Sequence, residues 1–185
     1  MRIIGRSLVT LALALLVTAV PLVAQREAPI TISLGAGLTV PGGDFNDAYE
    51  MGWGALGAVA YKPPAVPFGF RVDLSLAQVK DETPLDLANR MFYGTGNVLY
   101  EIDIAGTVLR PYLLGGAGIY YFDPRGDDAV GLGSDTKFGL NLGAGIEMKP
   151  RTIGFFAETR LHHVMNKGDD TQFGAVVAGV RFGAF

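Results

Sequence analysis

Cysteine is absent from all 185 residues, so a disulfide-stapled scaffold is excluded and the fold must hold itself together through hydrogen bonds and packing. Charge is sparse: 18% of residues are Asp, Glu, Lys or Arg, against about a quarter in ordinary soluble proteins. With 49% apolar residues, something other than a water-facing surface is being built. Beyond the first 24 residues, no apolar run is long enough to cross a bilayer as a helix. If that part enters a membrane, it must do so as a closed β-barrel, because only helices and closed barrels satisfy every backbone group in hydrocarbon. Internal repeats and low-complexity linkers are missing too, which speaks for one domain.

Motifs that carry chemistry are equally scarce. LGAG and GGAG occur without a βαβ context and read as strand glycines, not as phosphate cradles. The GDD runs at Gly126 and Gly168 lack the ligand spacing of a calcium loop, so no metal site and no cofactor is expected. Once Arg2 and Arg6 are set aside with the leader described next, 13 basic residues face 18 acidic ones. That net charge of −5 argues against nucleic acid as a partner.

What is present begins with that leader. Arg2 and Arg6 precede an apolar run from Leu8 to Val20, followed by Pro21 and Ala24, the pattern of a secretory signal peptide over residues 1–24. Residues 25–185 then form the domain. Strand signals recur through it, with no helical period: Ile30 to Val40, Gly52 to Tyr61, Phe68 to Val79, Met91 to Asp103, Val108 to Phe122, Phe138 to Met148, Gly154 to Val164 and Gln172 to Phe185. Long polar connections such as PGGDFNDAYEM, KDETPLDLANR and DPRGDDAVGLGSDT alternate with the compact links KPPAVP, IAGT and KPRTI. Long loops at one end and tight turns at the other are how an up-and-down transmembrane barrel is connected. The expected fold is all-β: an eight-stranded antiparallel up-and-down transmembrane β-barrel.

Within the strands, side chains sort by parity. Phe68, Phe70, Val72, Leu74 and Leu76 alternate with Arg71, Asp73 and Ser75, and the later strands repeat the pattern. All nine strand Asp, Glu and Arg residues sit off the apolar face, which chance would produce roughly once in five hundred trials. Soluble barrels alternate as well, so the lysines decide the direction. Lys62, Lys80, Lys137, Lys149 and Lys167 are expected in connections or at strand ends, and the polar face is rich in small residues suited to a narrow lumen. The apolar face therefore looks outward, to lipid. In RPYLLGGAGIYYF (110–122), Leu113, Gly115, Ala117 and Ile119 face hydrocarbon, Tyr112 stands near the inner interface, and Tyr120, Tyr121 and Phe122 mark the outer one. Trp53, Phe92 and Tyr93 extend the expected outer girdle, with Tyr61, Phe68 and Phe155 in the inner one.

With RPYLLGGAGIYYF, the segment GLNLGAGIEMKP from Gly139, FFAETRLHHV from Phe155 and the closing VVAGVRFGAF, the chain resembles small bacterial outer-membrane β-barrels, the OmpA-transmembrane-domain and OmpX-like group. The resemblance implies residence in the bacterial outer membrane among its lipids and lipopolysaccharide, and a last strand, with Val180, Phe182 and Phe185, read by the barrel-assembly machinery. Phe185 is out of step with the parity of Phe182.

The inferred lumen collects Arg71, Arg110, Arg160 and Arg181 with Asp73, Glu101, Asp103, Glu147 and Glu158, joined by His162 as a hydrogen-bonding residue. Four positive charges against five negative ones favour a pairing network that plugs an eight-stranded barrel over a selective conduit. The expected role is therefore structural or interactive at the surface, by a monomer whose extracellular partner is not written in the sequence. The alternative is a small porin or transport barrel, and the third reading is a lipid-modifying enzyme. The long loops carry twelve acidic residues against five basic ones, read as solvated, with cations shared with lipopolysaccharide or basic partners as the sharper option. Catalysis is not expected. His163 faces lipid near the outer end, but the positions after it are Val164 and Met165, where barrel lipid deacylases carry a serine; a set of Ser134, His163 and Asp135 is conjecture.

Overall fold

The computed structural model describes residues 30–43, 50–63, 66–80, 88–102, 104–125, 133–148, 153–166 and 170–183. The leader, Asp103 and Phe185 lie outside them. Eight strands follow one another: β1 Ile30–Gly42, β2 Gly52–Tyr61, β3 Phe68–Lys80, β4 Ala88–Glu101, β5 Leu109–Arg125, β6 Asp135–Met148, β7 Ile153–Val164 and β8 Thr171–Phe182. Each pairs antiparallel with its neighbour in sequence, and β1 closes on β8 from Ile32↔Phe182 to Gly42↔Gln172. Closure leaves no strand edge unpaired, which is what a chain must achieve where no water is available to satisfy its backbone.

The period of two places the faces. Leu34 and Leu38 on β1, Phe70, Val72 and Leu74 on β3, Leu140 and Leu142 on β6 and Val176 on β8 are exposed, while Ser33, Arg71, Asp73, Asn141 and Arg181 between them are buried. Core and surface are thus inverted relative to a water-soluble barrel, as the parity of the sequence required. Among the tight connections, Ile104 to Thr107 closes with the Thr107 N–H donating to the Ile104 carbonyl at 3.4 Å. Gly106 takes the third position with φ of 78°, a conformation that a side chain would penalise.

Three strands run three residues further than expected at the long-loop end. β4 begins at Ala88, β5 continues to Arg125 and β6 starts at Asp135, so Arg90, Asp123 and Lys137 belong to strands and not to loops. About 9–11 residues suffice to cross the hydrocarbon, so the 17 residues of β5 overshoot it. Beyond the membrane the ladder of hydrogen bonds continues while the apolar signal stops.

The aromatic girdles also depart from expectation at four positions. Trp53, Phe92 and Tyr121 face out at the long-loop end, as do Tyr61, Phe68 and Phe155 at the other. Tyr93, Tyr112, Tyr120 and Phe122 instead point into the lumen and are buried. Each shares the parity of lumen residues on its own strand, and that parity outranks the preference of aromatics for an interface. Trp53, the single tryptophan, is 51% exposed on the outward face. In vesicles its emission should be blue-shifted and strongly quenched by acyl chains brominated near the head group; quenching by aqueous iodide alone would place it in water and contradict the outward-facing belt.

Candidate functional site

The lumen is filled in layers, and its middle is ionic. Arg71 and Asp73 stand two residues apart on β3, Glu158 and Arg160 two apart on β7, and in an eight-stranded ring these strands occupy opposite walls. Arg71 donates from Nε to Asp73 Oδ1 at 2.6 Å and from Nη1 across the lumen to Glu158 Oε2 at 2.7 Å. Arg160 returns the arrangement, from Nη1 to Asp73 Oδ2 at 3.0 Å and from Nε to Glu158 Oε1. Two acids and two bases thus close a ring that braces the barrel across its diameter. Tyr112 donates to Glu158 Oε2 at 2.8 Å, and Asn97 and Thr95 donate to Asp73 Oδ2. With Arg71 only 1% exposed, these charges are held away from bulk water, where only close pairing makes them tolerable.

Towards the tight-turn end, Arg181 donates to Glu147 and, at 3.0 Å, to Ser33 Oγ. Its guanidinium lies 5.3 Å from the ring centres of both Tyr112 and Phe156, a cation held between two aromatic faces. At the rim Glu101 pairs with Lys62 on the β2–β3 connection, not with a lumen arginine. Arg110 is half-buried near the same end, in register with Glu147.

The long-loop half of the lumen is different in kind. Ala77, Val79, Met91, Tyr93, Tyr120, Phe122, Val164 and Phe173 form one buried apolar cluster above the ionic ring. His162 belongs to this layer, which corrects its assignment to the ionic network. Its ring stacks on Phe173 at 4.5 Å between centres, and its Nδ1 lies 2.9 Å from the Tyr120 hydroxyl. Lys137 caps the layer, 4.9 Å above the Phe122 ring. The signal for this cap was present in the sequence: Tyr93, Tyr120 and Phe173 share the parity of Asn97, Gly118 and Arg181. Between cap and ring a cavity of about 10 Å³, lined by Thr39, Ser75, Tyr93, Glu158, Arg160 and His162, has room for about one water.

Glycines make this filling sterically workable. A Cβ on Gly145 would lie 2.3 Å from the Tyr112 ring, and one on Gly116 2.0 Å from the Gly96 carbonyl oxygen. Tyr112 occupies the space that Gly145 leaves, while at Gly116 the backbone of the neighbouring strand comes close.

Outside the lumen, His163 Nε2 lies 3.0 Å from Asp170 Oδ2 on the outer surface. Asp135 accepts instead from the Thr136 N–H and sits 3.8 Å from Lys137, so the structure does not bring Asp135 to His163. Among the described residues no three His, Asp or Glu side chains converge as a metal set.

A closed antiparallel barrel with an apolar exterior and a charged, filled interior defines an integral β-barrel protein of the bacterial outer membrane. The chain belongs to the outer membrane protein beta-barrel domain family, which it matches over residues 9–182. Among solved structures it is similar to Neisserial surface protein A, at 14% identity and a TM-score of 0.65, over 85% of this chain and 98% of that one. A major outer membrane protein from Thermus thermophilus follows at 13% identity and a TM-score of 0.58, over 83% and 98% of the two chains. The outer membrane enzyme PagL aligns at 16% identity with a TM-score of 0.50, over 83% of this chain and 99% of that one. No curated protein sequence matches the chain. At such identities the likeness speaks for the fold alone, and both enzymes and non-enzymes use it.

Proposed function

We propose that the protein is a monomeric, non-conducting outer-membrane barrel whose role is structural or lies in contacts made at its surface. One observation carries this reading: the ring of Arg71, Asp73, Glu158 and Arg160 spans the lumen from wall to wall, beneath an apolar cap. An ion following the axis would have to break the ring and displace aromatic side chains, each step costing several kcal/mol. A monomer is supported by closure, which leaves no strand edge to recruit a second chain. The non-catalytic reading is supported by the residues that follow His163, Val164 and Met165, neither of which offers a nucleophile. In this reading residues 1–24 direct export, lipopolysaccharide surrounds the barrel, and Val180 and Phe182 on β8 contribute to recognition by the assembly machinery.

Planar-bilayer recording tests the central point. The purified protein should give no steady openings, and disrupting the ring with Arg160→Gln should raise the frequency of conductance events. Reproducible unitary openings of the unaltered protein would favour the porin reading instead.

A further inference from the structure

On the lipid-facing wall of β6, β7 and β8 lies a half-open groove of about 530 Å³, lined by Leu140, Leu142, Leu161, His163, Gln172 and Gly174. Two facts bear on what it can hold. The first is that glycine keeps it open without being needed for packing. A Cβ on Gly174 would meet nothing nearer than the Arg160 carbonyl oxygen at 3.7 Å, and one on Gly42, across β8–β1, nothing nearer than the Gln172 oxygen at 3.6 Å. Both are ordinary contacts, unlike the overlaps that forbid side chains at the lumen glycines.

The second is a polar end on an otherwise apolar face. His163 and Gln172 are direct neighbours across β7 and β8. They sit just membraneward of Met165, whose N–H donates to the carbonyl of Phe138, an outward aromatic residue of β6. Outward aromatics at the long-loop end mark the interface between acyl chains and head groups, and from there the groove continues down to Leu142 and Leu161. It opens onto the membrane face of the wall, so its occupant comes from the bilayer.

We infer that this groove binds one acyl chain of an outer-leaflet lipid, whose amide or hydroxyl group at the chain–head junction is held by His163 and Gln172. The chemistry selects the class. Asp170 engages Nε2 of His163 at 3.0 Å, which leaves Nδ1 as the ring nitrogen for a ligand. Gln172 offers both an amide donor and an acceptor. A junction that both donates and accepts, such as an amide-linked hydroxyacyl chain, satisfies this pair. An ester supplies acceptors only, and a phosphate would be repelled by the Asp170 carboxylate.

Native mass spectrometry of the detergent-purified barrel, titrated with an N-(hydroxyacyl)glucosamine and with phosphatidylcholine of equal chain length, tests the assignment. One glucosamine lipid should be retained per barrel, in preference to phosphatidylcholine by about tenfold, the equivalent of one hydrogen bond of ordinary strength. Gly174→Val suits a strand, fills the groove and should reduce retention at least about tenfold, with the heat-dependent gel shift of the folded barrel unchanged. His163→Leu should keep chain binding and lose the preference. Equal retention by the unaltered protein and Gly174→Val, or no preference in the unaltered protein, would overturn the inference.

Discussion

Glu158→Gln should cost the folded barrel about 3–5 kcal/mol, because it removes one corner of a buried four-charge ring and leaves two guanidiniums to share Asp73. Glu158 is the acceptor for Arg71, Arg160 and the Tyr112 hydroxyl, so three buried donors lose their charged partner together. Urea titration of the barrel refolded into vesicles reads the effect, with Lys62→Ala as the comparison. The Lys62–Glu101 pair sits at the rim, where the lysine is 35% exposed, and its loss should cost less than about 1 kcal/mol. The double variant Glu158→Gln/Arg160→Gln should recover part of the loss, because Arg71 and Asp73 remain as a self-contained pair at 2.6 Å. Equal midpoints for Glu158→Gln and Lys62→Ala would show that the ring is not the brace described here.

Leu74→Arg should destabilise the membrane-inserted barrel by about 2–4 kcal/mol, through the opposite mechanism. Leu74 lies at the middle of β3, points away from the lumen and is 71% exposed, so its surroundings are acyl chains. A guanidinium there has no carboxylate within its own wall, since Val72 and Leu76 flank it on the same face. Leu74→Ala, which adds no charge, separates the cost of charge from the cost of lost apolar surface. The same measurement in vesicles gives both values. If arginine were tolerated as well as alanine, the outer face of β3 would not be in hydrocarbon.

These two substitutions mark how far the sequence could be read. The parity that separates Leu74 from Asp73 is visible along a single strand, and it carried the strand count, the direction of each face and the membrane setting. Strand ends were less legible: Arg90, Asp123 and Lys137 continue the ladder past the bilayer, where nothing apolar marks the wall. Aromatic positions are ambiguous in sequence where two preferences compete. Tyr112, Tyr120 and Phe122 have the composition of an interface girdle, yet their parity turns them inward, Tyr120 and Phe122 into the apolar cap and Tyr112 onto the charged ring. His162 follows the same rule, entering the lumen as expected but joining Phe173 and Tyr120 above the ion pairs.

Read alone, the chain determined that ionic side chains share one face and oily ones the other, because a strand alternates every residue and hydrocarbon penalises a charge wherever it falls. Only the closed tertiary structure decided which charges meet. Arg71 and Glu158 are 87 positions apart, and what brings them within hydrogen-bonding distance is the closing of β1 onto β8, which sets β3 against β7 across a lumen one ion pair wide. That partnership depends on strand order and register around the whole ring, which no local pattern encodes.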